Sequence, residues 1–132
     1  MAGNVKAFKH FGVTLKNERW SWSGRNDKGD VVLLLWTDEM NYKTKPPTCS
    51  TFDLPSLPAW RDRPGNRERI ENLVWARDKN GGKFFVVMAK AKDPNELTRQ
   101  TDEAYPTKIV MRLTRLNEET GEFSAEVVAT TS

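Results

Sequence analysis

At 132 residues the chain is long enough for one domain with a sizeable core and too short for two ordinary ones. Its 37% hydrophobic and 30% charged residues predict a highly charged surface, and no apolar run exceeds the six residues of Val31 to Trp36, far short of the ~18 residues of a membrane-spanning helix. One cysteine, Cys49, and one histidine, His10, exclude an internal disulfide and a Cys/His metal site; with no apolar signal core at the N-terminus, the expectation is a cytoplasmic protein with no cofactor, metal or membrane partner.

In chain order, residues 3–11 place Val5, Phe8 and then Phe11 or Gly12 on one helical face, which predicts a short N-terminal helix stopped at Gly12. His10 and Lys9 would face outward or cap its end. The next stretch, RWSWSGRNDKGDVVLLLWTDE, holds three of the five tryptophans. It predicts a strand over Arg19 to Ser23, a turn over Gly24 to Gly29 and a second strand over Asp30 to Glu39. Alternation puts Trp20 and Trp22 on one face of the first strand, and Val32, Leu34 and Trp36 on one face of the second.

Residues 41–65 carry five prolines and predict a long irregular loop that packs down through Tyr42, Phe52, Leu54, Leu57 and Trp60. The segment PGNRERIENLVWARDKNGG predicts the main helix, capped by Asn66, buried along Ile70, Leu73, Val74 and the stem of Arg77, and stopped by Gly81-Gly82. Three strands follow: Lys83 to Lys92, Lys108 to Leu116 and Glu122 to Thr130, with a polar connection over Asp93 to Pro106. The last two form an antiparallel hairpin around Asn117 to Gly121. These elements predict a single α+β domain over residues 1–132. Its mostly antiparallel five-stranded sheet curls toward a half-barrel, with one short N-terminal helix and one central helix.

The net charge of +3 hides an asymmetry. The first 92 residues carry 17 Lys/Arg against 10 Asp/Glu, whereas residues 93–132 carry 4 against 8. A basic region interleaved with tryptophan is the electrostatic footprint of a nucleic-acid binder. In the hairpin these residues are Arg19, Trp20, Trp22 and Arg25; in the loop and helix start they are Trp60, Arg61, Arg63, Arg67 and Arg69. Rings stack on unpaired bases and arginines hold phosphate. Trp36 with Asp38 would form a pocket whose acid accepts the exocyclic amine of an unpaired or modified base. Against this stands the ordinary reading of tryptophans as core: Trp36 and Trp75 lie within apolar runs, while Trp20 and Trp60 each adjoin an arginine.

Two other classes compete with a non-enzymatic nucleic-acid binder, DNA or RNA. A protein-interaction module, such as a small inhibitor or adaptor, would use the proline-rich loop or the acidic hairpin bearing Glu118, Glu119, Glu122 and Glu126. A Mg²⁺-dependent nuclease would hold metal on Asp30, Asp38 and Glu39 and activate water with Lys90 or Lys92. The sequence has no phosphate-cradling glycine loop, no GxSxG elbow and no zinc-deaminase motif, and the Ser/Thr-rich surroundings of Cys49 give it no catalytic partner.

Overall fold

The computed structural model describes residues 2–16, 21–52, 61–91 and 101–130. Helix α1 (Ala2–Lys9) ends where Gly12, at φ +78°, sends its N–H back to the Lys9 carbonyl. Strand β1 (Ser23–Arg25) pairs antiparallel with β2 (Val31–Trp36), Ser23 opposite Leu33 and Arg25 opposite Val31. The turn between them is built on Asn26: its side-chain oxygen accepts from the N–H groups of Lys28 and Asp30, each at 3.0 Å. Its amide nitrogen reaches the Phe11 carbonyl at 2.9 Å. The first strand therefore begins later than Arg19 to Ser23 predicts, and Arg19 and Trp20 lie outside the described residues. The second strand is shorter than Asp30 to Glu39, because Thr37–Glu39 turns as a 3₁₀ segment in which a Glu39 oxygen accepts from the Trp36 N–H at 2.9 Å.

The sheet contains seven strands among the described residues, two more than expected, ordered β1-β2-β5-β6-β7-β4-β3; as expected it is mostly antiparallel, with one parallel pair, and it is not closed. The two additional strands, β3 (Met40–Asn41) and β4 (Thr48–Ser50), come from the region expected to be irregular. Pro46 and Pro47 sit between them and cost no ladder donor that the sheet needs; the Pro47 carbonyl accepts from the Val127 N–H at 2.9 Å. Strand β4 docks antiparallel on β7 (Phe123–Thr130).

Helix α2 (Pro64–Lys79) carries the chain across the sheet, so β5 (Lys83–Ala91) returns parallel to β2, Val32 opposite Phe85 and Trp36 opposite Ala89. A parallel pair requires such a crossover and is covered on both faces, which explains the unbroken apolar run of β2. Strand β6 (Thr101–Leu116) pairs antiparallel with β5 and β7 and extends back through Pro106, inside the expected connection. Pro106 is accommodated beside a register shift between Phe85 and Val87. There the Thr107 hydroxyl donates to the Val86 carbonyl at 2.8 Å, and β6 is not yet paired to β7.

The two sheet faces bury different material. On one, α1 and the chain after it lay Ala7, Phe8, Val13 and Leu15 against Val32, Leu34, Val87 and Ala89. On the other, α2 lays Leu73 and Ala76 against Val31, Leu33, Leu35, Phe84, Val86, Met88, Met111 and Phe123. The buried side of α2 differs from the predicted stripe. Leu73 and Ala76 are buried together with Gly65, Asn66, Glu68, Arg69 and Asn72, while Ile70 and Val74 are only half-buried and Arg77 is exposed. The helix also starts earlier than Asn66, with Pro64 in its first turn. Asn66, wholly buried, instead donates to the carbonyls of Arg61 and Thr120, each at 2.8 Å, and so ties the helix start to the β6–β7 turn. Gly121 is required in that turn: its φ is +83°, and a Cβ there would stand 2.2 Å from the Asn66 side-chain oxygen. No described helix is long and apolar enough to cross a membrane.

Candidate functional site

A cleft of about 350 Å³ opens between α2, β1 and the segment that follows α1. Its rim is basic and aromatic. Lys16 and Arg25 are exposed at the edge, and Trp75 forms a wall. The Arg25 guanidinium lies over the Trp75 ring, 4.3 Å from its centroid, and the Lys79 ammonium stands 5.7 Å from the same centroid. Trp75 is fixed by its indole N–H, which donates to the Gly29 carbonyl at 2.9 Å, and Asn80 donates to that carbonyl at 3.0 Å. The ring thus packs against the edge of the core while its N–H is tied to the β1–β2 turn.

The floor is polar and buried. Asn72 donates to the Ser23 hydroxyl oxygen at 2.7 Å, and both residues are buried. Beside them Glu68, 7% exposed, lines the cleft one helical turn before Asn72. Burial raises its carboxyl above the ordinary range, with Glu71 adding to the effect; a hydrogen bond from Ser21 and the charge of Lys16 oppose it. Its Oε1 is buried and has no hydrogen-bond partner among the described residues.

The structure disperses the residues predicted for binding. Arg25 stands on the cleft rim, and Arg61, Arg63 and Arg67 are exposed at the head of α2. Arg67 continues down the helix at four-residue spacing through Glu71 and Trp75 to Lys79, one face. Arg69 is a correction. It is 7% exposed, its guanidinium packed 5.1 Å from the ring centroids of both Trp22 and Phe123, with one nitrogen 3.2 Å from the Asn66 oxygen. Burial lowers its pKa to about 10 against the raising influence of Glu39 and Cys49. A guanidinium so enclosed serves the interior, not a phosphate. Trp22 is half-buried beneath it, and Trp36 is half-buried against the α1 face. Cys49 is also buried, its thiol pushed up to about 12 by desolvation and by Glu39.

Trp60 and Lys92, like Arg19 and Trp20, fall outside the described residues, as does the Asp38 side chain. Asp30 and Glu39 flank opposite ends of six-residue β2, about 20 Å apart at strand rise. Asp30 accepts from Asn26 at 3.2 Å, and Lys90 is exposed near the far end of β5. Among the described residues, no three His, Cys, Asp or Glu side chains are grouped to hold a metal. The acids of the β6–β7 hairpin are partly matched: Glu126 lies 2.6 Å from Arg112, and Glu118 lies 3.5 Å from Arg77.

Sequence reasoning missed the cleft's main parts, Trp75, Glu68, Asn72 and Ser23. Trp75 sits in the run Leu73-Val74-Trp75-Ala76 and reads as core. The available signal was helical spacing, since Glu68, Asn72 and Trp75 share one side at i, i+4 and i+7. No protein-family model, curated protein or solved structure matches this chain.

Proposed function

We propose that this chain is a non-enzymatic nucleic-acid-binding module in which the cleft beside Trp75 receives one unpaired base. The observation that carries this reading is the Arg25–Trp75–Lys79 arrangement at the mouth of the cleft. A guanidinium laid over an indole presents its outer plane as a stacking surface, and its N–H groups suit a phosphate. Lys16 extends that positive rim, Lys79 adds charge beside the Trp75 ring, and Arg61, Arg63 and Arg67 offer further phosphate contacts at the head of α2. The volume suits a single base with its sugar, not a duplex, so the favoured partner is single-stranded or carries an extruded nucleotide. The exposed arginines supply affinity without sequence preference, and the cleft supplies the contact with a base.

The test is fluorescence anisotropy of labelled single-stranded and duplex oligonucleotides at low and high salt. Single strands should bind more tightly, with affinity falling steeply as salt rises. Trp75→Ala should cost about 1–3 kcal/mol of binding, the usual worth of one stacked base. Arg25→Glu should weaken binding and flatten the salt dependence. Unchanged affinity in both folded variants would remove the cleft from the interface.

A further inference from the structure

We infer that Glu68 is the base-reading residue of this cleft, its free carboxylate oxygen accepting the exocyclic amine of an amino-bearing base and so favouring adenine or cytosine over thymine or uracil. This rests on the reading of the cleft as a nucleotide site. It stands on a separate observation, the state of the Glu68 side chain.

Glu68 is 93% removed from water by its relative exposure of 7%, yet its Oε1 has no hydrogen-bond partner among the described residues. Buried polar atoms are nearly always paired, so an orphaned carboxylate oxygen on a residue that lines a cleft is a candidate acceptor for a donor brought by a ligand. The surrounding groups are otherwise occupied. The Asn72 amide nitrogen is committed to the Ser23 hydroxyl, the Trp75 indole N–H to the Gly29 carbonyl, and Ser21 already hydrogen-bonds the Glu68 carboxyl. Lys16, exposed at the rim, influences Glu68 through its charge.

A donor entering past the stacked, basic rim would find this oxygen an open acceptor. The exocyclic amines of cytosine and adenine fit, each a donor at the edge of a flat ring. Thymine and uracil place carbonyl oxygens on both sides of their one ring N–H, and those oxygens would face the carboxylate and repel it. A carboxylate accepting from cytosine N4 is an established form of base readout. Position on the helix supports the proposal: Glu68 and Trp75, seven residues apart on α2, line the same cleft.

The decisive comparison is anisotropy competition among short single strands of deoxycytidine, deoxyadenosine and deoxythymidine at low salt, for the native chain, Glu68→Gln and Glu68→Met. The expected result is a preference of about tenfold or more for the amino-bearing strands in the native protein, the worth of one charged hydrogen bond. The preference should collapse toward parity in Glu68→Met and weaken in Glu68→Gln, whose amide oxygen still accepts but carries no charge, with circular dichroism melts confirming that each is folded. Equal affinity of the native chain for all three strands would overturn the inference while leaving the binding reading intact. A preference that survives both substitutions would overturn it as well. No binding of any strand at low salt would overturn both. The native comparison decides the matter even if a variant fails to fold.

Discussion

The two faces of the sheet are covered by helices of opposite character. The α1 face is apolar throughout, with Phe8 fully buried among Val13, Leu15, Val32, Leu34, Val87 and Ala89. The α2 face mixes a larger apolar core with buried Asn66, Glu68, Arg69 and Asn72. Apolar burial stabilises without needing a partner, whereas each buried polar group must find one or cost the fold stability. Asn66 and Asn72 find theirs and act as locks between helix and sheet. Glu68 retains an unmatched oxygen, and it does so at the cleft. The contrast separates a face whose burial is apolar from a face that also buries polar groups, one of them with an unmatched oxygen.

The largest effect that would test this contrast is on the α1 side. Phe8→Ala should destabilise the chain by about 3–5 kcal/mol, read as a shift in the urea midpoint, because it empties a site with no polar alternative. A cost below that of the polar locks would break the comparison. Next come the locks themselves. Asn66→Ala leaves the carbonyls of Arg61 and Thr120 unpaired and should cost about 1–3 kcal/mol by the same denaturation. Gly121→Ala acts on the same junction through left-handed strain and collision with Asn66. Its cost should overlap with that of Asn66→Ala, so the double substitution should be less than additive.

The smallest effect has the opposite sign. Glu68→Gln should stabilise the folded chain at neutral pH, on the order of 1 kcal/mol, by removing a buried charge with an unmatched oxygen. The folded carboxyl is raised above its unfolded value, so the native protein binds that proton more tightly than the unfolded chain does. The native chain therefore gains stability relative to the variant as pH falls through the raised value, and loses it as pH rises. The gap between the two urea midpoints should be widest near neutrality and should close below the ordinary glutamate range. A gap that widens on acidification would contradict the assigned burial.

The regular strands were legible because alternation survives in them: β5 and β7 fall close to their predicted bounds, as does the helix that becomes α2. What the sequence hid was long-range or too short to be periodic. Strands β3 and β4 span two and three residues, too few to show a pattern beside Pro46 and Pro47. The first half of β6 is masked by Pro106, which is tolerable only because of a bulge set by its neighbour. The β2–β5 pairing depends on where α2 crosses, a tertiary property. That basic residues and tryptophans lie close in sequence could be read directly, yet where they meet in the cleft could not. Arg25 and Trp75 are 50 positions apart and meet only after folding, and Glu68 and Asn72 break the rule that a helix buries its apolar stripe.

The sheltered thiol of Cys49 has a practical consequence. With its thiol pushed up to about 12 by burial and the residue 2% exposed, this single cysteine should react only slowly with maleimides and disulfide reagents in neutral buffer. The chain is thus already a clean background for site-directed chemistry. A cysteine substituted for Lys28, exposed in the turn beside the cleft, would be the faster-reacting thiol on the folded molecule. A photocrosslinker attached there would record whatever enters the opening, with few competing adducts from elsewhere in the protein.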